Sequence, residues 1–177
     1  MPEACWSEVK GSELYQGDFI PNVPVPLFNS PFVEPEPTRD AEAESQTEVQ
    51  VKDVIVVSQT CDLVNRKLRF VALCPVTTIA EMEEQQPGSA KRWKEVMKGR
   101  QEGLHLLGSC DNLNDYRTAL IVDFHEIISL PFGYMERHAY DCGTRWRLKS
   151  PYLEHLSQAF GRFYMRVALP ANFINLP

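Results

Sequence analysis

Four β-branched residues in a row, Val54-Ile55-Val56-Val57, constrain this chain more than any other feature. Such side chains are stiff at χ1 and favour strands, and a strand that is apolar on consecutive positions is buried on both faces. It therefore lies inside a barrel or under a helix. The strand runs straight into Ser58-Gln59-Thr60-Cys61-Asp62, small polar, thiol and carboxylate side chains at a strand end. A second strand of the same kind, Phe70-Val71-Ala72-Leu73-Cys74, ends in Pro75-Val76-Thr77-Thr78, and the polar Asn65-Arg66-Lys67 between the two predicts a hairpin turn. Further strands are predicted at Ala119-Leu120-Ile121-Val122, running on to Ile127-Ile128, and at Thr144 to Leu148.

Two helices are legible. Ser89 caps a predicted helix over Ala90 to Arg100, where Trp93, Val96 and Met97 form an apolar stripe and Lys91, Arg92, Lys94, Lys98 and Arg100 face elsewhere. A second is predicted over 150–169. Ser150 stands at its cap and Pro151 at its first position, with Leu153, Leu156, Phe160, Phe163 and Val167 on one face and Pro170 as its stop.

With 177 residues and 44% apolar content, the chain is read as a single domain, residues 1–177. No apolar run approaches the ~20 residues a membrane span needs. Met1 to Trp6 lacks a basic segment followed by an apolar one, so a cytoplasmic protein is expected. Five irregularly spaced cysteines favour free thiols. The net charge of −6 argues against a nucleic-acid partner, yet Glu34, Glu36, Asp40, Glu42, Glu44 and Glu48 supply most of it. Prolines recur from Pro21 to Pro37, and residues 21–50 read as a loop, Pro-rich and then acidic.

The strand ends carry a resemblance. Leu14-Tyr15-Gln16-Gly17-Asp18-Phe19-Ile20, the valine-rich strand ending in Ser58, and the strand ending in Pro75-Val76-Thr77-Thr78 together resemble the MazF/PemK family of toxin-like small barrels. Leu120-Ile121-Val122-Asp123 and the 150–169 helix occupy the places of that family's later strand and closing helix. The resemblance implies a mainly β fold with helices, an SH3-like small β-barrel across which the C-terminal helix packs. Residues 21–50 and 79–118 become insertions, the second holding the short basic helix. It also implies a site without metal or cofactor, in which a cation before the valine-rich strand and a hydroxyl after the next strand hold the scissile phosphate of single-stranded RNA. Thr77 and Thr78 match the second element. Lys52-Asp53 stands where the family carries Arg-Pro, replacing a bidentate guanidinium by a point charge beside a carboxylate.

Two functions follow from the resemblance. One is a catalytically degenerate member acting as a protein- or RNA-binding regulatory module in a bacterial toxin-antitoxin or phage-defence operon, with a protein partner from that operon and homodimerisation left open. The alternative is an active, metal-independent endoribonuclease using Lys52, Thr77 and Thr78. Ser58, Gln59, Thr60, Cys61, Asp62 and His125 are the further groove candidates.

Cys61-Asp62 leaves three readings open: a nucleophile served by His105 or His125, a metal site completed by Cys74 or Cys110, or an Asx-type turn in which Cys61 packs as a small hydrophobe. No Cys-x-x-Cys or His-x-x-x-His spacing supports a metal. His105 reads as a half-buried strand residue, and His125, two after Asp123, as a base with its orienter. The acidic run is also a candidate internal cover for the groove.

Overall fold

In the computed structural model, which describes residues 5–28, 47–85, 90–110 and 115–165, the valine-rich segment belongs to strand β3 (Thr47–Val56). Its alternate side chains enter two different cores. Val54 and Val56 are fully buried in one with Val23, Val25 and Met135, while Ile55 enters the other with Phe124, Leu148 and Leu156. Burial on both faces is what the unbroken apolar run demanded.

Around β3 stand β1 (Trp6–Val9), β2 (Asp18–Phe28), β4 (Phe70–Thr78), β5 (Leu104–Leu107), β6 (Leu120–Asp123), β7 (Ile128–Pro131) and β8 (Arg145–Leu148). All pair antiparallel in the order β1-β8-β2-β3-β4-β6-β5, with β7 beside β4. Five helices complete the described residues: α1 (Thr60–Val64), α2 (Ile79–Gln85), α3 (Ala90–Met97), α4 (Phe132–Asp141) and α5 (Tyr152–Tyr164). The chain is mixed α/β, built on one eight-stranded antiparallel sheet.

The sheet is not a closed barrel, since β1 and β5 at its ends do not pair. The ends do approach one another. The buried Trp6 indole donates through Nε1 to the Gly108 carbonyl, just past β5, at 2.8 Å. A side-chain hydrogen bond, not a backbone ladder, links the two ends. The expected strand from 119 to 128 is two strands, β6 and β7, which share one edge of β4. Phe70 to Leu73 pair with β7 and Val76 to Thr78 with β6. The partner changes at Cys74-Pro75, where proline removes a backbone donor.

The largest departure concerns residues 21–50, read from sequence as a loop. Residues 21–28 belong to β2 and 47–50 to β3, and the two strands form a long hairpin. Residues 29–46, with most of the acidic run, lie outside the described residues. Prolines are tolerated in β2 because of where they fall. The Pro24 carbonyl accepts a hydrogen bond from Tyr134 Oη at 3.0 Å, so its backbone polar groups face α4 and not β3. Pro24 and Pro26 thus sit at positions where β3 requires no donor.

The 79–118 segment is likewise more than an insertion, since β5 lies inside it and extends the sheet. Within it α3 buries Trp93 and Val96 against Ile79, Leu104 and Ile121, but Met97 is 66% exposed and leaves the predicted stripe. Ser89 lies outside the described residues. The turn expected at Asn65-Arg66-Lys67 is preceded by the short helix α1, and Arg66 there takes a positive φ of 52°. Helix α5 begins at Tyr152 with Pro151 at its cap position and no side-chain cap from Ser150. Leu156 is buried, and Leu153, Phe160 and Phe163 pack half-buried on the same core; Val167 and Pro170 fall outside the described residues.

Gly17-Asp18 is a structural lock. Gly17 has φ +82°, and a Cβ there would stand 2.8 Å from Leu153 Cδ1 of α5. Asp18, 0% exposed, receives Arg145 Nη1 at 2.6 Å and Arg147 Nε at 2.5 Å, along with the Tyr15 amide at 3.1 Å. Arg145 also donates to the Gly11 and Glu13 carbonyls, and Arg147 stacks 3.8 Å above the Tyr15 ring. Buried charges persist when paired in this way; of the Arg145 guanidinium only Nε has no partner among the described residues.

Candidate functional site

A concavity of about 530 Å3 opens where β4 leaves β3. Asp53 and Val76 form the last rung between these strands. Beyond it Thr77 and Thr78 pair with β6, and the chain turns into α2. The cause of that turn is written in Thr78-Ile79-Ala80-Glu81. Thr78 Oγ1 accepts from the Glu81 amide at 3.1 Å, and Glu81 Oε2 accepts from the Thr78 amide at 2.7 Å, a reciprocal capping box. Thr77 and Thr78 hydroxyls also donate to Glu81 Oε2, at 3.0 and 2.9 Å.

Lys52 and Thr77 therefore line one groove, while Thr78 is not among the lining residues. Their partners were not foreseen. Lys52 Nζ is paired with Glu126 Oε1 at 2.5 Å. Asp53 accepts the Asn22 amide at 2.8 Å, across the bulge in β2. The lining holds Asp53, Glu81, Asp123 and Glu126 against Lys52, four carboxylates to one ammonium. The Thr78 amide and the two threonine hydroxyls hold Glu81 below the usual carboxylate range, against the opposing effect of partial burial. Glu81 was legible in principle, because Thr-x-x-Glu before an apolar run is a capping signal. Nothing in the sequence links Lys52 to Glu126.

His125 forms the expected pair with Asp123, though on a turn after β6 and not along a strand. Its ring Nδ1 lies 2.6 Å from Asp123 Oδ1, which also accepts the His125 amide at 2.9 Å. The imidazole rests against Gly103, whose φ of +83° and missing side chain make the room, and meets Phe163 edge-on at 5.1 Å. Asp123 lines the groove while His125 sits behind it.

Ser58 to Asp62 lie at the opposite end of β3, and the structure gives most of them local work. Ser58 Oγ accepts the Ala72 amide at 2.8 Å, and Thr60 Oγ1 accepts the Gln16 amide at 3.2 Å. The Gln59 carbonyl receives the amides of Asp62 and Leu63 as α1 begins. Asp62 is 3.7 Å from Lys67 Nζ. These contacts bind the loop before Gly17 to the end of β3, so the polar cluster is no part of the groove. Cys61 is exposed, contrary to its reading as a packed hydrophobe, with Sγ 3.9 Å from Gln59 Oε1.

The thiol and metal readings lose their partners. His125 is held by Asp123, and His105 lies in β5 stacked on Phe124, where burial and then the charge of His155 push it down to about 4. Burial, reinforced by Asp123 and Glu126, pushes the Cys74 thiol up to about 12. Among the described residues no group of three or more His, Cys, Asp or Glu side chains is placed to hold a metal ion, and no helix is long and apolar enough to cross a membrane. No known family model matches the chain, and no curated protein sequence matches it either.

Proposed function

We propose that the chain is a catalytically degenerate module of the MazF/PemK-like small-barrel kind, which recognises a protein and does not cleave RNA. One observation carries this reading: the groups that would hold a scissile phosphate are already engaged by carboxylates. Lys52 is paired with Glu126 and both threonine hydroxyls with Glu81. A phosphate entering the groove must displace two carboxylates and then lie beside Asp53 and Asp123. Those charges fall within one ~8 Å Debye length of any ligand in the groove, so physiological salt does not hide them. The curl of the sheet, with Trp6 bridging its ends and α5 across the enclosed core, supports kinship with the small barrels. In this reading the partner is a protein encoded beside the module in a toxin-antitoxin or phage-defence operon, as the resemblance implies.

The test is a single-stranded RNA substrate incubated with purified protein in the presence of a metal chelator. No cleavage is expected. Cleavage that Lys52→Ala or Thr77→Ala abolishes would overturn the reading in favour of an endoribonuclease.

A further inference from the structure

Strand β3 has two edges, and among the described residues the surroundings of only one are protected. The β2 side of the hairpin ends in prolines, with α4 against them: Tyr134 Oη donates to the Pro24 carbonyl, and His138 Nε2 lies 3.0 Å from the Pro21 carbonyl. Proline and a covering helix are the usual protections of a strand edge. The other edge of β3 is covered by β4 only from Asp53 to Val56. At Val49 to Lys52 no described strand lies beside it, because the capping box has turned β4 away.

The direction of the backbone there follows from register. Pro24 faces α4 with its carbonyl, and Val51 stands opposite Pro24, so Val51 directs its N–H and C=O away from β2. Val49, opposite Pro26 and two residues along, does the same. The alternation continues correctly up the strand: the Val56 carbonyl accepts from Gly17 on the β2 side, while the Val57 amide donates to Ala72 on the β4 side. Val49 and Val51 thus present two donors and two acceptors to an edge that no described strand covers, and the two residues are 60% and 63% exposed.

We propose that this edge is a strand-addition site, which an extended segment of a partner protein enters by pairing with Val49 to Val51 where β4 departs. The inference rests on the protein-binding reading above and names the chemistry of the partner. Val49 and Val51, in register with Pro26 and Pro24, offer an apolar surface to the first part of the segment. Farther along, the segment runs into the groove beside Asp53, Glu81, Asp123 and Glu126, which selects lysine or arginine. Main-chain bonds supply affinity and alternate side chains supply specificity, as in other strand-addition complexes.

The experiment uses the full chain and a fluorescent, acetylated peptide of valine-threonine repeats ending in a lysine pair, read by anisotropy. Two control peptides replace the lysines by glutamates or methylate the backbone amides. The lysine peptide is expected to bind, with both controls at least about tenfold weaker, the scale of one or two lost charge-assisted or main-chain hydrogen bonds. Val51→Pro removes a donor that faces outward and not one in the β2 ladder, so it lowers affinity about tenfold with little change in the urea midpoint. Equal binding of the methylated peptide would overturn strand addition, and equal binding of the glutamate peptide would overturn the charge selection. No binding of the lysine peptide would overturn both while leaving the nuclease result, and the reading it tests, untouched.

Discussion

Asp18→Asn keeps the shape of the side chain and removes one charge from the centre of the Asp18, Arg145 and Arg147 network. Asp18 and Arg145 side chains are 0% exposed, and the carboxylate takes guanidinium contacts of 2.5 to 3.0 Å from two arginines. Asparagine still offers an oxygen to the Tyr15 amide, so the loss is mainly electrostatic. Stripping one partner from a buried pair costs about 3–5 kcal/mol, because the remaining cation is left in low dielectric without its counter-charge. For a chain of this length each kcal/mol moves the melting temperature by about 2–4 °C, giving an expected fall of about 6–20 °C. Urea unfolding followed by tryptophan fluorescence gives the free energy directly. Arg145→Met in the Asp18→Asn background removes the stranded charge, so the double variant is less destabilised than the sum of the singles by about 1–3 kcal/mol. A single variant within about 1 kcal/mol of wild type, or strict additivity, would refute the view that this network locks β2 to β8.

His105 makes stability fall with acid. Its folded pKa of about 4 lies below the ordinary 6.5, so the unfolded chain binds the proton first; stability is flat above about pH 6.5 and drops by about 3 kcal/mol on the way to pH 4, and His105→Phe flattens that slope in pH-dependent urea melts. Thr78→Ala removes half of the capping box and costs about 1 kcal/mol in the same melts. The folded Glu81 carboxyl is depressed, so its contribution is present above the unfolded value of 4.5 and is lost as pH falls through the lower folded value; Glu81→Gln abolishes that acid-side loss. Gly103→Ala sets a methyl group against the His125 ring at a positive φ and costs about 1 kcal/mol or more, with the His125 imidazole resonances displaced in the NMR spectrum.

How much of this was written in the sequence depends on the range of the interaction. Val54 to Val57 announced a doubly buried strand because burial acts residue by residue, and His125 with Asp123 was legible because two residues of a short turn are forced together. The β2 prolines misled, since proline excludes a strand only where its missing N–H is needed, and that depends on a register no local pattern reveals. Lys52 and Thr77 line one groove, but the role of Thr77 and Thr78 turned on Glu81, a local capping signal passed over in favour of the resemblance. Lys52 with Glu126, and Asp18 with Arg145, join residues 74 and 127 positions apart, and only the folded topology brings such pairs together. Ser58 to Asp62 looked like a site because polar clusters at strand ends often are one; here they serve as ties for the adjoining loop.

The span between Asp18 and Arg145 also sets a clock on synthesis. A ribosome adding about 5–20 residues per second takes roughly 6–25 s to cover the 127 positions that separate them. Once β3 is complete at residue 56, its partner strand β2 still carries an aspartate without a counter-charge, and β8 does not yet exist. Burying Asp18 before Arg145 and Arg147 are made would strand a charge. The same lock that stabilises the finished protein leaves β1 and the Asp18–Phe19 end of β2, the two segments that pair with β8, without that partner until the last strand is made.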